Sequence, residues 1–324
     1  MSAAEGTEQA RIIVVGGGIG GLATALTLHA RGLRCRVYEQ SPQIRELGVG
    51  INTLPHAIGK LADLGLLDAL DASGLRTYEL IYTNRFGQEI WRELRGTDAG
   101  HPVPQFSIHR GALQGVLHHA ARQRLGAAAI RTDPRLAGFD QDASGVTASF
   151  ADHTGTEVEV VRGAALVGAD GIHSTVREAL VPGEGPPRWN GALLWRGAAD
   201  WPSFLTGRSM IIAGGMEAKV VLYPIGAGSA PHRRLTNWAV LAHIGQVGTA
   251  PPRREDWSRH GRLEEVIPHV KRFAVGEVAV ESLIRSTPVS ASISFACLRV
   301  APKPWYKSNA ILTPMCTTMT NWPR

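Results

Sequence analysis

Residues 11–40, RIIVVGGGIGGLATALTLHARGLRCRVYEQ, contain every part of a dinucleotide-binding βαβ unit in order. The apolar run Ile12–Val15 predicts a buried parallel strand, because such strands are apolar on both faces. A helix is predicted from about Ile19 to Ala30, and Gly32 ends it. A second strand is predicted from Arg34 to Tyr38. Strand, helix and strand in this order indicate an α/β fold built on a parallel sheet.

The turn after the first strand has the spacing G-x-G-x-x-G, with glycines at Gly16, Gly18 and Gly21. In this pattern the first glycine permits a tight turn, the second lets the backbone approach a pyrophosphate, and the third lets the helix pack closely on the strand. Glu39 ends the second strand, where an acid accepts hydrogen bonds from an adenosine ribose and disfavours a 2′-phosphate. The sequence therefore predicts a site for FAD or NAD rather than NADP. The alternative is a glycine-rich turn beside an incidental surface glutamate.

Length and composition limit the class of protein. The chain has 324 residues, of which 44% are hydrophobic, so it can bury a large core in two domains or lobes. No apolar run approaches the ~18 residues of a membrane span, and the polar first ten residues do not resemble a secretory signal. Three scattered cysteines predict neither a disulfide framework nor a metal site. We therefore expect a cytoplasmic protein without a membrane span.

The net charge of +6 does not indicate a nucleic-acid partner, because the basic residues are spread along the chain rather than clustered with aromatic residues. The excess favours small anionic ligands, with an ordinary solvated surface as the alternative.

The rest of the chain predicts a mixture of helices and antiparallel strands. Pro55–Leu70 has leucines about one turn apart and predicts one amphipathic helix. Tyr78–Asn84 and Gln88–Leu94 alternate like the strands of a hairpin. Three further strands with turns between them are expected between residues 136 and 161, and four more between residues 192 and 244.

Three separated motifs together resemble one enzyme family. They are GGGIGG followed by Glu39, IHRGALQ around Arg110, and GADGIHSTVR at 168–177. Their combination resembles the single-component FAD-dependent aromatic monooxygenases, in particular the salicylate hydroxylase-like branch. Three segments, RELGVGIN, SIHRG and LLWRG at 193–197, look most like members of that branch that modify phenazines. The resemblance covers roughly residues 10–288.

The resemblance implies an α/β fold in which a Rossmann-like FAD-binding domain is interleaved with a sheet-based substrate domain. The expected domains are the FAD-binding domain at 10–75 and 105–183, the substrate domain at 76–104 and 184–288, and a divergent tail at 289–324.

The resemblance also implies which residues bind FAD. Arg110 would give forked donors to the pyrophosphate, with an ordinary surface arginine as the alternative. Asp170 and Gly171 match a pair that lies near the pyrophosphate and is linked with NAD(P)H use, although Asp170 could equally cap a helix. Gly48 and Gly50 would let the chain pass close to the flavin, or form an ordinary turn. The full expected set is Gly16, Gly18, Ile19, Gly20, Gly21, Glu39, Gln40, Arg45, Gly48, Val49, Gly50, Arg110, Asp170 and Gly171.

Substrate residues are implied only by segments that border the substrate chamber in the family. LLWRG and VVLYPIG match such segments, so Trp195, Arg196 and Tyr223 are candidates. Aromatic residues on sheet faces are more often simply part of the core. We predict no catalytic acid, base or nucleophile, because in a flavin enzyme the cofactor carries the chemistry.

One motif of the family is missing from the sequence. Near their C-terminus, family members carry a Gly-Asp pair whose aspartate binds the ribityl chain, whereas this chain contains no Gly-Asp dipeptide. Pro314 and Met315 stand where that pair would lie, and the sequence ends at Arg324. We therefore expect a divergent or truncated C-terminus with weaker FAD binding and poorer coupling of electron transfer to hydroxylation.

The functional hypothesis is an FAD-dependent monooxygenase that hydroxylates a phenolic or phenazine-like carboxylate, with NADH or NADPH as the electron donor and oxygen as co-substrate. A plain NAD-dependent dehydrogenase would explain residues 11–39 but not Arg110 or the segment 168–177. A non-catalytic remnant that binds FAD weakly is the third alternative.

Overall fold

The computed structural model describes residues 12–44, 48–185, 188–250, 256–288 and 294–300. In chain order its strands are β1 (Ile12–Val15), β2 (Cys35–Glu39), β3 (Gly50–Thr53), β4 (Gly74–Arg76), β5 (Glu79–Thr83), β6 (Glu89–Leu94), β7 (Phe106–His109), β8 (Ile130–Thr132), β9 (Arg135–Asp142), β10 (Gly145–Ala151), β11 (Glu157–Gly163), β12 (Ala165–Gly168), β13 (Arg188–Pro202), β14 (Ser209–Gly214), β15 (Ala218–Ala227), β16 (Arg233–His243), β17 (Asp256–His260) and β18 (Ser294–Val300). Its α-helices are α1 (Ile19–Ala30), α2 (Pro55–Asp63), α3 (Leu67–Ser73), α4 (Arg110–Leu125), α5 (Thr175–Leu180), α6 (Leu263–Val270) and α7 (Val280–Arg285).

The described chain divides into two compact units. The first unit contains residues 12–44 and 114–185. The second contains residues 48–113 together with the described residues from 188 to 300. The chain therefore passes between the units more than once, as an interleaved fold requires.

The first unit is built on a four-stranded parallel sheet with the order β12-β1-β2-β8. Val14 and Val37 on one face pack against Ala25 of α1. Ile13 and Val15, on the opposite face of β1, pack against the antiparallel meander β9-β10-β11. Both faces of β1 are thus covered, which explains the continuous apolar run in its sequence. The predicted α/β fold with a parallel sheet is confirmed.

Helix α1 has the bounds that the sequence predicted, Ile19–Ala30. Gly32 lies just after the C-terminal end of the helix, and its φ of +73° lies in the left-handed region that favours glycine. Gly32 donates to the carbonyl of His29 at 2.9 Å and Leu33 donates to that of Leu28 at 3.0 Å, the pair of bonds of a Schellman motif. The chain then turns directly into β2.

The second unit contains a mixed eight-stranded sheet with the order β17-β18-β13-β16-β15-β14-β5-β6. Neighbouring strands pair antiparallel except β14 and β5, which run parallel. The β5–β6 pair is the predicted hairpin. A smaller antiparallel sheet in the same unit has the order β3-β7-β4.

The prediction of a single helix over Pro55–Leu70 is wrong, because α2 and α3 are separate helices. Gly65 lies between them with a φ of +68° and donates to the carbonyl of Ala62 at 2.8 Å. Leu66 donates to the carbonyl of Leu61 at 3.0 Å, which completes a second Schellman motif. The leucine spacing is that of an amphipathic helix, but Gly65 within it ends α2.

One face of the eight-stranded sheet carries a core beneath α6 and α7. Trp238 of β16 is fully buried there, and its indole N–H donates to the Thr287 hydroxyl at 2.8 Å. Gly197 of β13 pairs with Trp238 across the ladder, and a Cβ at Gly197 would lie 2.7 Å from the indole ring. The indole therefore occupies the space that a side chain at residue 197 would need.

We expect Gly197→Ala to lower the free energy of unfolding by about 1–3 kcal/mol, the usual cost of overpacking a core. Gly226→Ala is the matched control, because Gly226 also lies in a strand of this sheet but a Cβ there would meet nothing within 4 Å. Urea denaturation of the two variants checks this. Equal stability of Gly197→Ala and wild type would show that the indole shifts without cost.

Candidate functional site

The glycine-rich loop between β1 and α1 is held by close backbone contacts. Gly16 has a φ of +108°, and a Cβ on it would lie 2.3 Å from the carbonyl oxygen of Ala169, the residue after β12. A Cβ on Gly21 would lie 1.8 Å from the carbonyl oxygen of Gly16. The fold itself therefore requires glycine at both positions, whatever the loop binds.

Gly18 lies in the same loop but under a different constraint. Its φ of −72° suits any residue, and a Cβ on it would meet nothing within 4 Å. It is the N-cap of the 12-residue helix α1, and no side chain caps that helix end. Open space at an uncapped helix N-terminus is a site where backbone N–H groups can bind a phosphate. Gly20, in the first turn, is equally open.

Glu39 lies beside this loop, at the end of β2. One carboxylate oxygen accepts from the N–H of Gly17 at 2.6 Å, and the other accepts from the N–H of Ser41 at 2.9 Å. A Cβ on Gly17 would lie 2.9 Å from the Cβ of Glu39, so the side chain fills the space next to the loop. Each oxygen keeps a second lone pair for a ligand hydroxyl. The neighbouring Gln40 is exposed.

Gln114, the last residue of the motif IHRGALQ, also contacts the loop, although it is not among the expected FAD residues. Its side-chain amide donates to the carbonyl oxygen of Gly17 at 3.1 Å. Gln114 lies in α4, four residues after Arg110, and helix geometry places residues at this spacing on one face.

Asp170 accepts hydrogen bonds at the N-terminus of helix α5. Its two carboxylate oxygens accept from the Ser174 hydroxyl at 2.6 Å and from the N–H of Val176 at 3.2 Å. The Ser174 hydroxyl oxygen in turn accepts from the N–H of Arg177 at 2.9 Å. Ser174 is therefore the N-cap of α5, and Asp170 supports this helix end without being its N-cap. Gly171, with a φ of +82°, turns the chain towards this helix.

In the second unit, the segment that follows residues 45–47 packs on Arg110. Gly48 has a φ of +111°, and a Cβ on it would lie 3.3 Å from Cδ of Arg110. The N–H of Arg110 donates to the carbonyl of Val49 at 2.7 Å. The expected FAD residue Arg45 lies outside the described residues.

The same segment continues into β3 and packs on the eight-stranded sheet. The N–H of Gly50 donates to the side-chain oxygen of Asn237 at 2.8 Å. A Cβ on Gly50 would lie 2.7 Å from both Asn237 and Tyr223. Gly50 is therefore a place where backbone and sheet approach closely, rather than an ordinary turn.

The strand register separates the three substrate candidates. Arg196 pairs with Ala239 and Tyr223 with Asn237, which places Arg196 and Tyr223 on the sheet face opposite the helical core. Trp195 lies on the other face, where it is buried and stacks on His269 with ring centroids 5.2 Å apart. The structure thus brings Arg196 and Tyr223 together and gives Trp195 the place of a core aromatic.

Burial is the main influence on the Tyr223 phenol. It raises the pKa of this group, while the Arg196 guanidinium and a hydrogen bond with Asn52 act in the opposite direction. The phenol therefore stays protonated at neutral pH and can donate a hydrogen bond. Arg196 lies on the same face of the sheet as this phenol.

Among the described residues, no group of three or more His, Cys, Asp or Glu side chains is arranged to hold a metal ion. In the same part of the chain, every helix is too short or too polar to cross a membrane.

Residues 9–256 match the family model described as an FAD binding domain. The chain is 40% identical over 286 residues to a phenazine 1,6-dicarboxylic acid hydroxylase of Lysobacter antibioticus, covering 87% of this chain and 70% of that protein. It is 34% identical over 272 residues to a 3-amino-4-hydroxybenzoate 2-monooxygenase of Streptomyces platensis, covering 80% of this chain and 62% of that protein. The chain thus spans less than two thirds of the length of the Streptomyces relative.

The fold is similar to solved flavoprotein structures. Klebsiella pneumoniae HpxO, complexed with FAD and uric acid, superposes with a TM-score of 0.68 at 22% identity, covering 91% of this chain and 68% of that chain.

The glycine contacts predict that Gly18→Ala and Gly21→Ala fail in different ways. Gly21→Ala should lower the thermal midpoint, because its Cβ has no room in the folded chain. Gly18→Ala should leave the midpoint unchanged and weaken FAD binding about tenfold or more, because the methyl group enters the phosphate space. Differential scanning fluorimetry and FAD titration separate the two effects. Gly59→Ala, at an open helical glycine, is the control for both. Normal FAD affinity of Gly18→Ala would place the pyrophosphate elsewhere.

Proposed function

This chain belongs to the FAD binding domain family that includes the aromatic hydroxylases, and from that membership we propose that it hydroxylates an aromatic carboxylic acid with NAD(P)H and oxygen. The relatives from Lysobacter and Streptomyces are named for a phenazine dicarboxylic acid and an aminohydroxybenzoate, which share a ring and a carboxylate. A guanidinium near a buried phenol, at Arg196 and Tyr223, suits such a substrate. A location in the cytoplasm stays a prediction.

The observation that carries the proposal is the contrast among the loop glycines. Gly16 and Gly21 are required by the fold, whereas Gly18 is not, and the space beside Gly18 lies at the start of α1. A space without a structural use, lined by helix N–H groups, suits a pyrophosphate. When bound, FAD supplies electron transfer from NAD(P)H to oxygen.

We propose two groups of residues for FAD, one in each unit. In the first unit, the phosphates and ribose would contact the helix start, the loop glycines and the acid of β2, with the segment after β12 beside them. These residues are Gly16, Gly18, Ile19, Gly20, Gly21, Glu39, Gln40, Asp170 and Gly171. In the second unit, Arg110 would donate to the pyrophosphate, and Gly48, Val49 and Gly50 would pass close to the flavin.

The sheet face opposite the helical core would hold the substrate. Arg196 would attract the carboxylate, and Tyr223 would donate a hydrogen bond to it. Both side chains are anchored in the interior of long strands, so their spacing is fixed by the ladder. These residues bind and orient; we assign no acid or base step to them.

Glu39 is expected to bind the adenosine ribose. Glu39→Ala should weaken FAD binding by about 1.5–3 kcal/mol, because hydrogen bonds to a charged group are lost. Glu39→Gln keeps one acceptor and should bind FAD with intermediate affinity. The thermal midpoint of each variant without FAD is needed as a control, because Glu39 also accepts from the loop at Gly17. Unchanged FAD affinity in Glu39→Ala would remove this residue from the site.

The proposed activity is tested by adding FAD, NADH or NADPH, and one aromatic acid at a time to the purified chain. Phenazine-1,6-dicarboxylic acid and 3-hydroxybenzoic acid, the latter named in another relative, are the first substrates to try. Their carboxamides are the controls. We expect flavin absorbance bands and a hydroxylated product from an acid but not from its amide, with hydrogen peroxide measured in parallel. Peroxide without product from any acid would indicate an FAD-binding protein without hydroxylase activity, and a protein without flavin bands would contradict the proposal outright.

A further inference from the structure

In the glycine-rich loop of the first unit, side chains from two other elements bind the backbone of Gly17. Its N–H donates to the Glu39 carboxylate at 2.6 Å, and its carbonyl accepts from the side-chain amide of Gln114 at 3.1 Å. Gly17 is buried, so its carbonyl needs a donor within the protein. Because a carbonyl oxygen can only accept, the NH₂ end of the Gln114 amide must face it.

The bond from Gln114 also sets the direction of the N–H of Gly18. The carbonyl of Gly17 and the N–H of Gly18 belong to one peptide group, which is planar and trans, so the two point in opposite directions. The N–H of Gly18 therefore points away from Gln114. No group of the described residues accepts from this N–H.

Without the bond, the Gly17–Gly18 peptide could rotate easily. Both of its neighbours are glycines, which lack the Cβ whose contacts restrict backbone rotation in other residues. Rotation by half a turn would exchange the positions of the carbonyl and the N–H. A phosphate that met the N–H before would then meet a carbonyl oxygen, which repels it. The hydrogen bond from Gln114 opposes this rotation.

Gln114 reaches the loop from a well-anchored element. It lies in the 16-residue helix α4 and belongs to the first unit, as the loop does. Leu117 and Ala121, three and seven residues further along the same side of the helix, are fully buried. The packing of the helix therefore fixes the position from which the Gln114 amide donates.

We propose that Gln114 is a positioning residue for FAD, which holds the Gly17–Gly18 peptide so that the N–H of Gly18 donates to the pyrophosphate. This inference rests on the proposed function, because it concerns the same cofactor site. Gln114 acts through the peptide group rather than by contact with FAD. In its absence only a fraction of the molecules would hold the peptide in the binding orientation, and the apparent dissociation constant rises as that fraction falls.

The first test removes the donor and keeps a long side chain. Gln114→Met should weaken FAD binding to the full chain about 3- to 10-fold, the loss that corresponds to one neutral hydrogen bond, measured by quenching of flavin fluorescence. Gln123→Met is the matched control, because Gln123 is an exposed glutamine in the same helix, and it should bind FAD like wild type. Equal FAD affinity of Gln114→Met and wild type would overturn the proposal.

Two fragments of the cofactor separate positioning from a general structural role. ADP contains the pyrophosphate, whereas adenosine contains only the base and the ribose. In calorimetric titrations, Gln114→Met should weaken ADP by about the same factor as FAD and leave adenosine nearly unchanged. Equal weakening of ADP and adenosine would show a general loss of structure and would overturn the proposal.

A charged replacement gives a readout that depends on pH. The carboxylate of Gln114→Glu cannot donate, but its protonated form has one O–H donor. A partly buried position beside a carbonyl oxygen raises the pKa of this carboxyl above its ordinary value of about 4.3. We expect weak FAD binding at pH 8 and a recovery towards the wild-type affinity at pH 5. Wild type measured at each pH corrects for Glu39, the acid on the other side of Gly17. A constant ratio of the two affinities would contradict the proposal.

The outcomes distinguish this inference from the proposed function. Failure of the wild-type chain to bind FAD would overturn both. Binding of FAD with the expected variant pattern, but without hydroxylated product, would support the role of Gln114 and reject only the proposed activity.

Discussion

The most demanding constraint in the first unit is the backbone crowding at the glycine-rich loop. The carbonyl of Gly16 lies under Gly21, and that of Ala169 lies against Gly16, so β1, α1 and the segment after β12 meet with no room for a methyl group. Because this contact joins the sheet to the helix, it sets the direction in which α1 leaves the sheet. Gly18, in the same loop, has open space around it. One loop therefore stabilises the fold and carries the proposed phosphate site.

In the second unit, the alternation of side chains along β13 separates the helical core from the proposed substrate face. Trp195 and Gly197 face the helical core, where Gly197 makes room for the indole of Trp238. Arg196, between them, faces the other way, towards Tyr223. A one-residue shift of this strand would put the guanidinium into the core and the indole on the substrate face. The register of the sheet thus keeps Arg196 on the face of the proposed site.

Local patterns made much of the first unit predictable. The βαβ unit and the meander depend on neighbours in sequence, and their positions were confirmed. The prediction of one helix over residues 55–70 is wrong because apolar spacing does not reveal that Gly65 takes a left-handed conformation. Trp195 and Arg196 cannot both line one face, because adjacent residues in a strand point to opposite faces. The alternation of side chains along a strand is visible in the sequence itself.

The contact between β3 and the eight-stranded sheet could not have been predicted. Gly50 and Asn237, which bring β3 to the sheet, are 187 residues apart, and no local pattern encodes that contact. The side-chain oxygen of Asn237 accepts from the N–H of Gly50 at 2.8 Å, and a Cβ on Gly50 would lie 2.7 Å from both Asn237 and Tyr223. A side chain at residue 50 would therefore push β3 away from the sheet. The closeness of β3 to the face that carries Tyr223 thus depends on one glycine and one amide that lie far apart in the sequence.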